Sequence, residues 1–142
     1  MTTPDYTLLD HTADLGIKIR GTDPIDLFEN AGRALIHLIL RIKSPGKTTP
    51  LKLSLSGDDL ADLMVRWLGE ILYLFEGENL VVTSINIGAL SPSPPSLEAA
   101  LDTTPFDPLM HEILMEIKAV TYHQIEVVNK GDMWESSVIF DL

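Results

Sequence analysis

The chain has 142 residues, 45% of them hydrophobic, with 21 acidic side chains against 10 basic, no cysteine, and a formal net charge of −11. That length favours one domain over residues 1–142, the lack of cysteine excludes disulfides and thiolate metal or catalytic sites, and the acidity argues against tight, direct binding of a nucleic-acid backbone. Residues 1–5 are polar, with no basic start leading into an apolar run, and no apolar stretch is long enough to span a bilayer, so a soluble, cytoplasmic protein with no membrane partner is the expectation.

Residues 6–9 form a short strand candidate, followed by the polar turn Asp10-His11-Thr12-Ala13-Asp14. Leu15, Ile17 and Ile19 then alternate with Gly16, Lys18 and Arg20, the period of a half-buried strand. Thr22 or Asp23 can cap a helix that takes Pro24 in its first turn. Its apolar stripe runs through Ile25, Phe28, Ala31 or Gly32, Leu35 and Leu38 or Ile39 to about Leu40. Ser44-Pro45-Gly46-Lys47 reads as a turn. Leu51, Leu53 and Leu55 mark another one-faced strand. A second helix opens near Asp59 and carries Leu60, Leu63, Met64, Trp67, Leu68, Ile71, Leu72 and Phe75, a stripe wide enough to require burial. Gly77 is expected to end it in a left-handed conformation. Val81, Thr83, Ile85 and Ile87 form the next strand. Ser91-Pro92-Ser93-Pro94-Pro95-Ser96 is expected as a loop, because proline offers a ladder no donor. Residues 97–101 are a short strand candidate, 103–110 a second loop, and 112–120 ambiguous between helix and strand. Residues 124–129 and 133–141 read as a hairpin over Lys130-Gly131-Asp132. No repeat at a solenoid period is present. This order predicts an α+β fold, a two-layer sandwich of mostly antiparallel sheet covered by two main helices.

The chemistry concentrates at the two ends. If the fold brings them together, Asp14, Asp141 and the Leu142 carboxylate offer three hard oxygens to a cation such as Ca²⁺ or Mg²⁺. The plainer reading has Asp14 capping its own turn and Asp141 as a solvated strand end, and spacing alone favours it. His11 and His123 invite metal or acid–base roles, yet a lone histidine beside a turn is more often structural. His37 and His111 are weaker candidates, with no evident partner. Lys118, in an apolar stretch, either reaches to solvent or answers a carboxylate. Asp58, Asp59 and Asp62 most simply stabilise the positive end of the second helix, with a site role for Asp59 the less favoured option. No Ser-His-Asp order, phosphate-cradling glycine loop or HExxH helix occurs.

Four blocks in order together resemble the archease family: His11-Thr12-Ala13-Asp14-Leu15-Gly16; Asp59-Leu60-Ala61-Asp62-Leu63 running into Trp67-Leu68-Gly69-Glu70-Ile71-Leu72-Tyr73-Leu74-Phe75; Glu116-Ile117-Lys118-Ala119-Val120-Thr121-Tyr122-His123; and Val138-Ile139-Phe140-Asp141-Leu142. The resemblance implies a non-catalytic accessory protein of the RtcB-type tRNA-splicing ligase. Such a protein promotes guanylylation of the ligase, allows multiple turnover and broadens nucleotide use from GTP to ATP. It also implies a divalent cation, Ca²⁺ first and Mg²⁺ or Mn²⁺ as alternatives, on the residues matching Asp14, Asp141 and Leu142, with Lys118 implicated and His11 and Asp59 as partner-facing candidates. On that footing the weighing of the carboxylates reverses. Gly69 departs from the family pattern, where asparagine is usual, and the Ser91–Ser96 loop looks enlarged. The alternative is a stand-alone metal-dependent hydrolase using the same carboxylates, or a metal-binding module.

Overall fold

The computed structural model describes residues 3–9 and 14–142. Its elements follow in the order β1 (Tyr6–Leu9), β2 (Leu15–Gly21), α1 (Pro24–Ile39), β3 (Leu40–Ile42), β4 (Thr49–Ser56), α2 (Leu60–Glu76), β5 (Leu80–Pro92), β6 (Pro95–Pro105), β7 (His111–Ile113), β8 (Ala119–Val120), β9 (Glu126–Asn129) and β10 (Trp134–Asp141). The α+β reading holds: two long helices and antiparallel strands. Those strands divide among three sheets, β1-β2-β10-β8 with β9 also on β10, the pair β3-β7, and β4-β6-β5.

Both helices begin in the same way, and the sequence shows why. Gly21-Thr22-Asp23-Pro24-Ile25-Asp26-Leu27 and Gly57-Asp58-Asp59-Leu60-Ala61-Asp62-Leu63 share a Gly-x-Asp-x-x-Asp-Leu pattern after an alternating strand. In each, the first aspartate is the N-cap: Asp26 N–H donates to Asp23 Oδ1 at 2.8 Å, and Asp62 N–H to Asp59 Oδ1 at 2.7 Å. The second aspartate reaches back, accepting the N–H of Thr22 and of Asp58 at 2.8 Å. This reciprocal bonding satisfies donors that a helix start leaves open. A Cβ on Gly21 would lie 2.3 Å from Leu27 N, and one on Gly57 2.8 Å from Leu63 N. The glycines therefore permit the close approach of strand end and helix start. The strand–helix unit occurs twice in the chain, a repeat much longer than a helical period.

One continuous apolar cluster joins the elements. Phe28, Trp67 and Phe140 are fully buried in it, each contributing about 1.5–3 kcal/mol on transfer from water. Trp67 Nε1–H donates to Phe28 O at 2.8 Å, so the largest core side chain ties α2 to α1 without leaving a buried donor unpaired. Between α1 and the sheets, Asn30 Nδ2 donates to Arg20 O and Glu29 Oε2 accepts Ile87 N–H, both at 2.8 Å.

Several expectations are corrected. Gly77 is right-handed (φ −95°, ψ −36°), and Asn79 takes the positive φ of 57°. A Cβ at 77 would lie 2.5 Å from the Tyr73 ring, so a larger residue there has to displace that exposed ring. The proline-rich segment is the tip of a long hairpin: Ser91 pairs with Ser96 and Pro92 with Pro95, leaving Ser93 and Pro94 as the connection, joined by a cis peptide bond. Proline is tolerated there because it stands at strand ends, where ladder donors can be spared. The expected loop at 103–110 is strand as far as Pro105, and the ambiguous 112–120 holds only the short strands β7 and β8. β5 has register shifts between Val82 and Ser84 and between Ile87 and Ala89. These bulges put Val82, Ile85, Ile87 and Leu90 opposite the inward residues of β6 and remove Thr83 from that set.

Candidate functional site

The register of β10 on β2 brings the chain ends together. Phe140 pairs with Leu15, and the ladder runs back from there to Trp134 opposite Gly21. The paired register ends at Leu15 and Phe140: Asp14 and Asp141 are the next residues in the chain beyond that pair, and Asp141 itself pairs with Ala119 of β8. Asp14 is half-buried, Asp141 is exposed, and Leu142 is 39% exposed. His11 lies outside the described residues. Among the described residues no group of three or more His, Asp or Glu is placed to hold a metal ion. The oxygens carried by Asp14, Asp141 and Leu142 are hard donors of the kind that calcium or magnesium takes.

The 118–123 segment is fastened to the same strand end. Lys118 N–H donates to Asp141 O at 2.8 Å, and Thr121 donates twice to Ile139 O, from N–H at 3.0 Å and Oγ1 at 2.8 Å. Ala119 and Val120 pair with Asp141 and Phe140 as β8. Ile117 is fully buried while Lys118 is exposed, so the backbone is pinned and the ammonium projects outward. No carboxylate of the described residues lies within 4.0 Å of that ammonium. The side chain of His123 is also exposed.

Sequence reasoning missed the tie that holds this segment to α2. Tyr122 OH donates to Asp62 Oδ1 at 2.6 Å, across 60 residues. Asp62 Oδ2 accepts Asp58 N–H and Arg66 Nε–H, each at 2.8 Å. The Tyr122 hydroxyl foremost, then the Asp58 amide, with Arg66 adding to them, lowers the Asp62 pKa from 3.8 to about 2. The same bond raises the Tyr122 phenol above its ordinary value. Helix-end charge, the sequence expectation for Asp62, covers only part of this role. The one available signal was that Tyr122 and Asp62 both fall in blocks carrying the family resemblance. Asp59 is taken up as the N-cap of α2.

The other histidines do have partners. His37 Nδ1 is 2.7 Å from Tyr6 OH. His111, 1% exposed, accepts Asp107 N–H at Nδ1 (2.9 Å), with no hydrogen-bond partner at Nε2 among the described residues.

Fold and site define a small α+β protein, built on a repeated strand–helix unit, in which the segment carrying Lys118 and Tyr122 is fastened to the last strand and to α2. The model of the Archease protein family (MTH1598/TM1083) matches residues 6–142, and the chain belongs to this family. It is 34% identical to the protein archease of Methanosarcina barkeri, covering 96% of this chain and 95% of that protein, and 32% identical to that of Methanosarcina acetivorans with the same coverage. The fold matches the solution structure of Methanobacterium thermoautotrophicum protein 1598, with a TM-score of 0.78 at 24% identity over 96% of this chain and 98% of that one. It also matches the crystal structure of an archease, described as a possible chaperone, from Thermotoga maritima, with a TM-score of 0.64 at 19% identity over 94% of each chain.

Proposed function

We propose that the protein is a non-catalytic activating factor of an RtcB-type RNA-splicing ligase in tRNA splicing. In this reading it promotes guanylylation and multiple turnover of the ligase, broadens its nucleotide use, and acts through a divalent cation held by Asp14, Asp141 and Leu142. Residues 1–142 act as one domain in the cytoplasm. The observation that carries the reading is the β2–β10 register, which leaves Asp14 and Asp141 as the next residues beyond the Leu15–Phe140 pair. The donor set fits Ca²⁺, with Mg²⁺ or Mn²⁺ as alternatives: oxygens only, and no thiolate in the chain.

A bound divalent cation supplies concentrated positive charge and Lewis acidity toward a phosphate-bearing partner. The chain's own part is to orient the donors. The Leu15–Phe140 pair anchors the backbone next to Asp14 and Asp141, and the Lys118 amide donates to the Asp141 carbonyl. The exposed Lys118 ammonium remains available to a carboxylate or phosphate on the ligase side. An acidic surface of net charge −11 complements a basic rim on that partner.

Asp14→Ala and Asp141→Ala should each abolish Ca²⁺ binding in calorimetry and stimulation of multiple-turnover ligation, while circular dichroism stays that of the parent. If both variants still stimulate ligation, the cation-presenting mechanism is wrong.

A further inference from the structure

The geometry points to a second binding site, for a small organic anion, in the cavity at the C-terminal end of α1. This cavity, about 400 Å³, lies between that helix end, β3, the N-terminal side of β1 and the Thr83 bulge of β5. It shares no lining residue with the Asp14–Asp141 end, and its volume falls in the range of small-ligand pockets. Its lining combines the basic side chains Arg33, His37 and Arg41 with the apolar Ile36, Leu40 and Leu114. A carboxylate or phosphate head on an apolar body matches that mixture of basic and apolar groups.

The basic side is unusual for this chain. Its net charge is −11, and two of its four arginines (Arg20, Arg33, Arg41, Arg66) face this one cavity. His37, in the last turn of α1, and Arg41 just beyond can answer the negative helix end, but that effect fades within a turn. It does not account for Arg33, which is farther back. Arg33 is held by Nη2–H donating to Ile85 O at 3.3 Å. Its nearest carboxylate oxygen, Glu29 Oε1, is 3.9 Å away, too far for a hydrogen bond, and Glu29 Oε2 is committed to Ile87 N–H. A guanidinium has five N–H donors, so among the described residues this one is fixed in place with donors to spare. Arg41 spends one bond, 3.0 Å, on Glu112, an exposed ion pair that an incoming anion displaces at little cost. Tyr6 OH occupies His37 Nδ1 and leaves Nε2 as the ring's other polar atom. The bulge that takes Thr83 out of the inward row makes it a wall of the cavity, while its hydroxyl donates to Asp102 O at 3.3 Å.

The test is calorimetric titration of the full chain with phenyl phosphate, against inorganic phosphate (the head alone) and phenol (the body alone). Benzoate in parallel separates a carboxylate head from a phosphate one. Phenyl phosphate or benzoate should bind at one site, at least about tenfold more tightly than either fragment, and Arg33→Gln and Arg41→Gln should each weaken it at least about tenfold. Asp14→Ala should leave it unchanged. Arg41 is mostly exposed, so Arg41→Gln keeps the test valid if Arg33→Gln disturbs folding. Three results overturn the site: no saturable binding of either probe at about 10 mM, equal binding of inorganic phosphate, or undiminished binding in the Arg41 variant.

Discussion

Asp62 does two jobs with one carboxylate. It closes the reciprocal cap of α2, and it receives the phenol of Tyr122 from the segment that also carries Lys118. Its pKa is depressed on folding, so its contribution to stability is fully present above the ordinary 3.8 and is lost as pH falls toward about 2. The melting-temperature gap between the parent and Asp62→Asn should therefore be widest near neutral pH and close progressively below pH 4. A gap that stays constant down to pH 2 would mean the carboxylate's charge is not what matters. Tyr122→Phe removes the largest cause of the shift, and the Asp62 titration, followed by carboxyl NMR, should move back toward 3.8. At this scale the sequence showed which residues bear chemistry but not which of them touch. The Tyr122–Asp62 bond has no local signature, because it joins residues 60 apart whose meeting depends on the whole core.

At the scale of elements, helices and one-faced strands were legible where period and caps agreed. α1 and α2 run close to their expected bounds because Asp23 and Asp59 cap them and one stripe of each is buried. The failures lie where local rules were overridden. In β5 two bulges break the period of two, and at the β5–β6 tip Pro92 and Pro95 end strands rather than prevent them. Gly69 and Gly21 illustrate the difference between propensity and packing. A Cβ at Gly69 meets nothing within 4 Å, so Gly69→Ala should stabilise the protein by about 1 kcal/mol through helix propensity. Gly21→Ala forces a Cβ against the Leu27 backbone at 2.3 Å and should destabilise by at least about 1–3 kcal/mol. Urea denaturation of the two variants checks both signs, and a stable Gly21→Ala would show that strand end and helix start can separate freely.

For the whole molecule, the excess of acidic over basic residues, 21 to 10, is a property of the surface field and was readable at once. If the partner is a ligase with a basic rim, complex formation should slow and weaken as salt rises. Raising ionic strength from about 0.05 to 0.5 M should lower the association rate in surface plasmon resonance by about tenfold or more. An association rate indifferent to salt would remove charge complementarity from the account.

By itself the sequence determined the periodic elements, their caps, the acidity and the family, because these depend on residue type and short spacing. The tertiary structure alone decided that β10 lies against β2, so that residues 14 and 141 close the same end of one sheet, and that two arginines and a histidine gather around one cavity. Such meetings are set by long-range strand register and helix packing, which no local pattern in the chain encodes.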